Sequence, residues 1–201
     1  MGKNRRDSIF LSSLEEFAAV GYERANTNHI CKKAGVSKGL LFHYYGSKKH
    51  LYFYTVEKCI EDILLAFDGF STEGLDFVGS LLAYSRKKAS FYFTHMLHYK
   101  LLNEAFLLPP VDVTDSMRLK YAELAQTGMA IMSSLLDKLE LREGVSRDTA
   151  LAFLSSMSRA TEMYESEGDW SKMDLTEELY QRLEKRYLDL IDLILHGISR
   201  N

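Results

Sequence analysis

An all-α chain is predicted by three features of the sequence. Glycine and proline total only 14 of 201 residues, and both prolines are adjacent, Pro109 and Pro110, so chain breakers are scarce outside one loop. Apolar residues recur at spacings of three and four along nearly the whole length, and no segment shows the alternation of a half-buried strand. With 46% hydrophobic and 26% charged residues, the composition is that of an ordinary globular protein large enough for one sizeable core or two small ones.

About nine helices are expected. The first covers residues 5–20, on Ile9, Phe10, Leu14, Phe17, Ala18 and Val20, and Gly21 ends it. Thr27 suits the N-cap of a short second helix, in which Ile30 and Ala34 share a face, and Gly35 suits the left-handed residue that closes it. Val36 turns inward and Ser37 caps a third helix over 38–44, with Leu41 facing the core beneath Ile30. The small Cys31 lets these two helices cross closely. Ser47 caps a fourth helix to about residue 70, roughly 30 Å long at 1.5 Å per residue. Further helices are expected at 75–88, 90–108, 116–141, 147–166 and 174–198, with a turn at 168–170.

A net charge of only −3 hides an asymmetry. Residues 1–50 hold nine Lys/Arg against four Asp/Glu, and the remainder holds sixteen against twenty-four, so a +5 head precedes a −8 body. Such a distribution confines phosphate attraction to one end. Cys31 and Cys59 stand in no metal-ligand spacing, which argues against a disulfide framework and for small buried side chains. The basic start leads into a charged, helix-periodic segment rather than an apolar signal core, and no run is long enough to span a bilayer, so a cytoplasmic protein is expected.

Two short helices joined by a tight turn at 27–48 read as a helix-turn-helix, whose second helix can enter the major groove of double-stranded DNA. Since Leu41 and Tyr45 must face inward, Lys38, Gly39, Leu40, His43 and Tyr44 are left for the groove, next to Ser37 at the start of the helix. Lys38 can donate to guanine O6 and N7, Leu40 can touch a thymine methyl, and Gly39 allows close backbone approach.

This run, with the helix before it, resembles the TetR family of bacterial transcriptional regulators. The matching positions are Thr27, Ile30, the Ala34-Gly35-Val36-Ser37 tetrapeptide, Gly39, Leu41, Phe42, Tyr45, Lys48 and Leu51. Cys31 stands where the family usually has alanine, and Phe42 and Tyr45 reverse its usual tyrosine-then-phenylalanine order. The resemblance implies phosphate contacts at Thr27, Phe42 and Lys48, a DNA-binding domain at 1–48, and an effector-binding and dimerisation domain at 49–201. It also implies a repressor that a small molecule releases from a near-palindromic operator, by tilting the 47–70 helix.

Because one short recognition helix rarely suffices for a specific site, a homodimer is expected. The interface is assigned to Leu154, Thr161, Leu179, Leu183, Tyr187, Leu190 and Ile194, which pairing with their symmetry mates would bury in a four-helix bundle; an intramolecular core is the alternative use. Phe91, His95, Met96, Tyr99, Met129, Met132, Phe153, Met157 and Tyr164 form the candidate effector pocket, since methionine and aromatic walls suit adaptable apolar sites. Plain core would use the same stripe. His95 and His98 have no third ligand near them in sequence, so neither metal nor cofactor is expected.

The rival readings are weaker. Residues 35–39 spell G-x-S-x-G, but a nucleophile elbow needs a preceding buried strand, and here an amphipathic helix bearing Lys32 and Lys33 stands instead. A non-enzyme is therefore expected, with a helical adaptor that offers its basic head to another acidic partner as the remaining alternative.

Overall fold

The computed structural model describes residues 3–107, 109–166 and 177–196. Among these the chain forms nine α-helices and one 3-10 turn, with no strand. The turn at 168–170 and Ile198 lie outside the described residues. Two compact units emerge, one of Met1–Asp68 with Thr94–Leu124 and the other of Gly69–Phe93 with Ala125–Asn201. The first unit thus joins the 1–48 head to a segment from the middle of the chain.

In that first unit, α1 (Lys3–Arg24) buries Ile9, Phe10, Leu14 and Phe17. Gly21, with φ 75° and ψ 166°, breaks the helix but does not end it, because the chain resumes a turn in which the Ala25 N–H donates to the Gly21 carbonyl at 3.1 Å. The next helix, α2 (Thr27–Ala34), is capped one residue earlier than expected. Asn26 is extended and its side chain accepts the Asn28 N–H at 2.9 Å, so Thr27 is the first helical residue rather than the cap. The far end follows the sequence: Gly35 is left-handed, its N–H reaches the Lys32 carbonyl, and Val36 N–H reaches Cys31 at 3.0 Å, a Schellman closure.

Helix α3 (Lys38–Tyr45) starts at Ser37, whose Oγ accepts the Leu40 N–H at 3.2 Å. Ser47 does the same for His50 at 3.1 Å, and α4 (Lys48–Ala66) follows, stopping short of residue 70. Leu51, Tyr52, Val56, Cys59 and Ile63 are its buried face. Both cysteines are free and buried. After α6 (Met96–Leu107), the 3-10 turn Val111–Val113 leads into α7 (Thr114–Leu136), whose first part buries Met117. The first helix packs on α2, α4 and α6, while α3 rests on α2 and α4.

The second unit holds α5 (Phe77–Thr94), the end of α7, α8 (Arg147–Ser166) and α9 (Glu177–His196). The break expected near residue 89 falls instead at His95, so α5 is longer and α6 shorter than predicted; Ala89 and Ser90 carry no breaker chemistry, whereas Thr94 turns its hydroxyl onto His95 Nδ1 at 2.8 Å. Helix α7 ends at Leu136, five residues early. There Lys138 Nζ gathers the carbonyls of Thr72 and Leu75 (2.9 Å) and the buried Ser80 hydroxyl (2.9 Å), an arrangement that needs its backbone out of the helix. Phe77, Leu81, Phe91, Met132, Leu135, Leu136, Leu154, Met157, Tyr187 and Ile191 make this unit's core. Among the described residues, no helix is long and apolar enough to cross a membrane.

Candidate nucleic-acid interface

The seat of α3 is one side chain deep. Leu41 is 0% exposed on the face of α3 that meets α2 and α4, and burying a leucine this way contributes about 1.5–3 kcal/mol. Tyr45, four residues on, is half-buried and its ring meets Tyr54 at 4.9 Å. With these two turned inward, helical geometry turns Lys38, Gly39, His43 and Tyr44 outward, and all four are exposed, as is the cap Ser37. Leu40 and Phe42 flank them, half-buried. The outer face is loosely self-organised: Lys38 Nζ lies 5.9 Å from the Phe42 ring centroid, and the His43 and Tyr44 rings meet edge-on at 5.2 Å.

Thr27 and Lys48, expected at phosphates, are both half-buried at the margin of this face. Lys48 is already engaged. Its ammonium donates to the Glu23 carbonyl at 2.9 Å and sits 4.8 Å above the Tyr22 ring, so it caps the end of α1. Glu15 and Glu16 of α1 pair with Lys33 and His29 of α2, exposed contacts worth under about 1 kcal/mol each. Ser37 is a helix cap preceded by α2, with its hydroxyl spent on Leu40 N–H, an arrangement unlike a nucleophile elbow.

Sequence reasoning missed the groups that hold this interface from behind. The Tyr22 N–H donates to Glu104 Oε1 and its hydroxyl to Asp112 Oδ2, each at 3.0 Å, across separations of 82 and 90 residues. Burial first, and then the bond to Asp112, push the Tyr22 hydroxyl up to about 12. Burial likewise raises Glu104, against the opposing Tyr22 N–H. No local pattern marks such partners.

The other candidate residues divide between the units. His95 is exposed, Met96 half-buried and Tyr99 buried in the first; Phe91, Met132 and Met157 are buried in the second, where Met129 (45%) and Phe153 (56%) are exposed. The Tyr164 side chain lies outside the described residues. His98 is buried, unlike His95, with Nε2 3.1 Å from Asp62 Oδ2 and its ring against Phe10 at 6.0 Å. Burial lowers its pKa against the pull of Asp62, which favours the neutral ring. Among the described residues, no cluster of three or more His, Cys, Asp or Glu is arranged to hold a metal.

Of the expected interface residues, Leu154 (2%) and Tyr187 (5%) are closed off within the chain itself and serve its core, while Leu190 is half-buried. Within the single chain, α8 and α9 turn these two into the hydrophobic interior of their own unit. The side chains of Thr161, Leu179, Leu183 and Ile194 lie outside the described residues.

A short exposed helix seated on a second, in a basic N-terminal bundle, defines the helix-turn-helix class of DNA-binding proteins. Residues 9–55 match the family described as bacterial regulatory proteins, tetR family. Over that N-terminal head the chain is similar to the TetR family. Its fold is shared well beyond the matched segment. The fatty acid degradation regulator FadR from Bacillus halodurans is similar at 17% identity, with 100% of this chain and 99% of that one covered and a TM-score of 0.70. FadR from Bacillus subtilis, solved in complex with stearoyl-CoA, covers 96% of this chain and 100% of its own at 19% identity and a TM-score of 0.67. A TetR-like regulator from a Rhodococcus species gives 16% identity over 92% and 96%, with a TM-score of 0.68.

Proposed function

We propose that this protein is a repressor that binds a near-palindromic operator as a homodimer and releases it when a small-molecule effector with an apolar or aromatic part binds. Residues 1–48 act as the DNA-binding domain and 49–201 as the effector-binding and dimerisation domain. The observation that carries the reading is the outward set Lys38, Gly39, His43 and Tyr44 on a helix whose opposite side is anchored by Leu41. The stearoyl-CoA in the Bacillus subtilis neighbour suggests a long-chain acyl thioester as the first effector to try.

The test is selection of a duplex from a randomised library, followed by anisotropy titration at several salt concentrations. Binding should weaken with salt as phosphate counterions are released. His43→Ala should change preference among related duplexes by about 1–3 kcal/mol at one base pair while leaving the salt slope unaltered. An unchanged preference removes α3 from the groove. Stearoyl-CoA should lower occupancy of the native complex; an effector acts only through unequal affinity for the bound and free states.

For the dimer, the exposed apolar residues of α8 and α9 support a contact surface beside the predicted stripe: Phe153, Leu188, Leu193 and Leu195. Sedimentation at micromolar concentration should report twice the chain mass for the native protein and a shift towards monomer for Phe153→Lys combined with Leu188→Lys. A native monomer defeats the two-headed reading.

A further inference from the structure

Where α1 breaks at Gly21, side chains from distant parts of the first unit converge. Glu104 of α6 accepts the Tyr22 N–H, filling the space that a side chain on Gly21 would need. Asp112, in the turn after α6, accepts the Tyr22 hydroxyl, and its own carbonyl accepts Lys49 Nζ from the start of α4 at 2.5 Å. Lys48 closes the other side, bonded to Glu23 and lying over the Tyr22 ring, which also packs on Tyr52 at 4.9 Å. Two residues later comes the Ala25-Asn26 entry to α2.

We infer that Glu104 and Asp112 are positioning residues for DNA binding, fixing through Tyr22 the point at which α1 hands over to the helix-turn-helix although neither lies on α3. The physical reason is the position of Tyr22. Between Gly21 and Asn26 the chain has no long run of regular helix to hold it, so α2 and α3 inherit whatever freedom that joint retains. A hydroxyl bonded to a carboxylate is a charge-assisted contact, stronger than a neutral one and directional. Without it the joint samples more orientations, the binding-competent fraction falls, and apparent affinity falls by the same factor. Asp112 belongs to the segment that follows α6, so a displacement of that segment reaches the joint through one bond.

The inference rests on the DNA-binding reading above, and its test separates the two. Tyr22→Phe keeps the ring and removes only the hydroxyl; Asp112→Ala removes the acceptor; Asp112→Asn retains an acceptor oxygen. Against the selected duplex, the first two should each bind roughly three- to tenfold more weakly. Their salt slope should match the native one, since no phosphate contact is lost, and Asp112→Asn should restore most of the affinity. The double variant Tyr22→Phe with Asp112→Ala should be no weaker than the weaker single variant, because both remove the same bond. Melting temperature and duplex affinity are read together: loss of stability with native affinity overturns the inference, as does an additive double variant. If the native protein binds no duplex, the DNA reading fails instead. Amide exchange then decides, with faster exchange through residues 22–30 in Asp112→Ala supporting the positioning role and unchanged exchange overturning it.

Discussion

Leu41→Ala will cost about 2–5 kcal/mol and abolish specific duplex binding, the largest effect expected of a single substitution in the head. Leu41 is the buried residue of α3, which has eight residues. A helix this short is not stable by itself in water; its order comes from packing. Deleting three carbons from a fully enclosed site removes their transfer energy and leaves a void that the surrounding helices close only in part. Set against a total stability on the order of 5–15 kcal/mol, the loss is large. Urea unfolding followed by circular dichroism gives the stability change, and the same sample in a duplex titration gives the binding change. A loss under about 1 kcal/mol, with binding retained, would mean that α3 is held by something other than Leu41.

Gly21→Ala should be nearly as damaging, although it adds one methyl group. At φ 75° and ψ 166° the backbone lies in a region that is essentially restricted to glycine and costs a residue with a Cβ about 1–3 kcal/mol. The added Cβ would also come within 2.7 Å of Glu104 Oε1. Glu104 must then swing away, leaving the Tyr22 N–H without its acceptor, for a further 1–3 kcal/mol or so. A combined loss of roughly 2–5 kcal/mol is expected in chemical denaturation. Pairing the change with Glu104→Ala relieves the clash and should recover part of the stability, whereas a double variant with the full sum of both losses would place the cost in the backbone alone.

Most of the head was legible because its determinants are local. Caps at Ser37 and Ser47, the closure at Gly35 and the inward Leu41 each depend on residues a few positions apart, and each residue has a distinct chemical task. The misplaced cap shows the limit of that logic: Asn26 and Thr27 are both good acceptors, and the choice between them depends on Glu16 Oε1 taking the Asn26 N–H at 2.9 Å. Farther along, the break at His95 was missed because no glycine or proline marks it, and the end of α7 was missed because Lys138 answers to Thr72, Leu75 and Ser80, some sixty residues away. Periodicity finds which face of a helix is apolar, but it does not distinguish a face buried in its own chain from one kept for a partner. Leu154 and Tyr187 of the interface set are buried in the chain, and the candidate effector set holds both buried Met132 and exposed Phe153.

The fastening at Tyr22 has a consequence for how the molecule is made. Every partner within the first 55 residues is near in sequence, so the three N-terminal helices can condense early, as locally wired bundles do. The bonds to Glu104 and Asp112 close loops of 82 and 90 residues and cannot form until those positions have left the ribosome. At ordinary synthesis rates that interval is on the order of several seconds. Until then the Tyr22 joint lacks both of its long-range acceptors, and the middle of the chain supplies them on arrival.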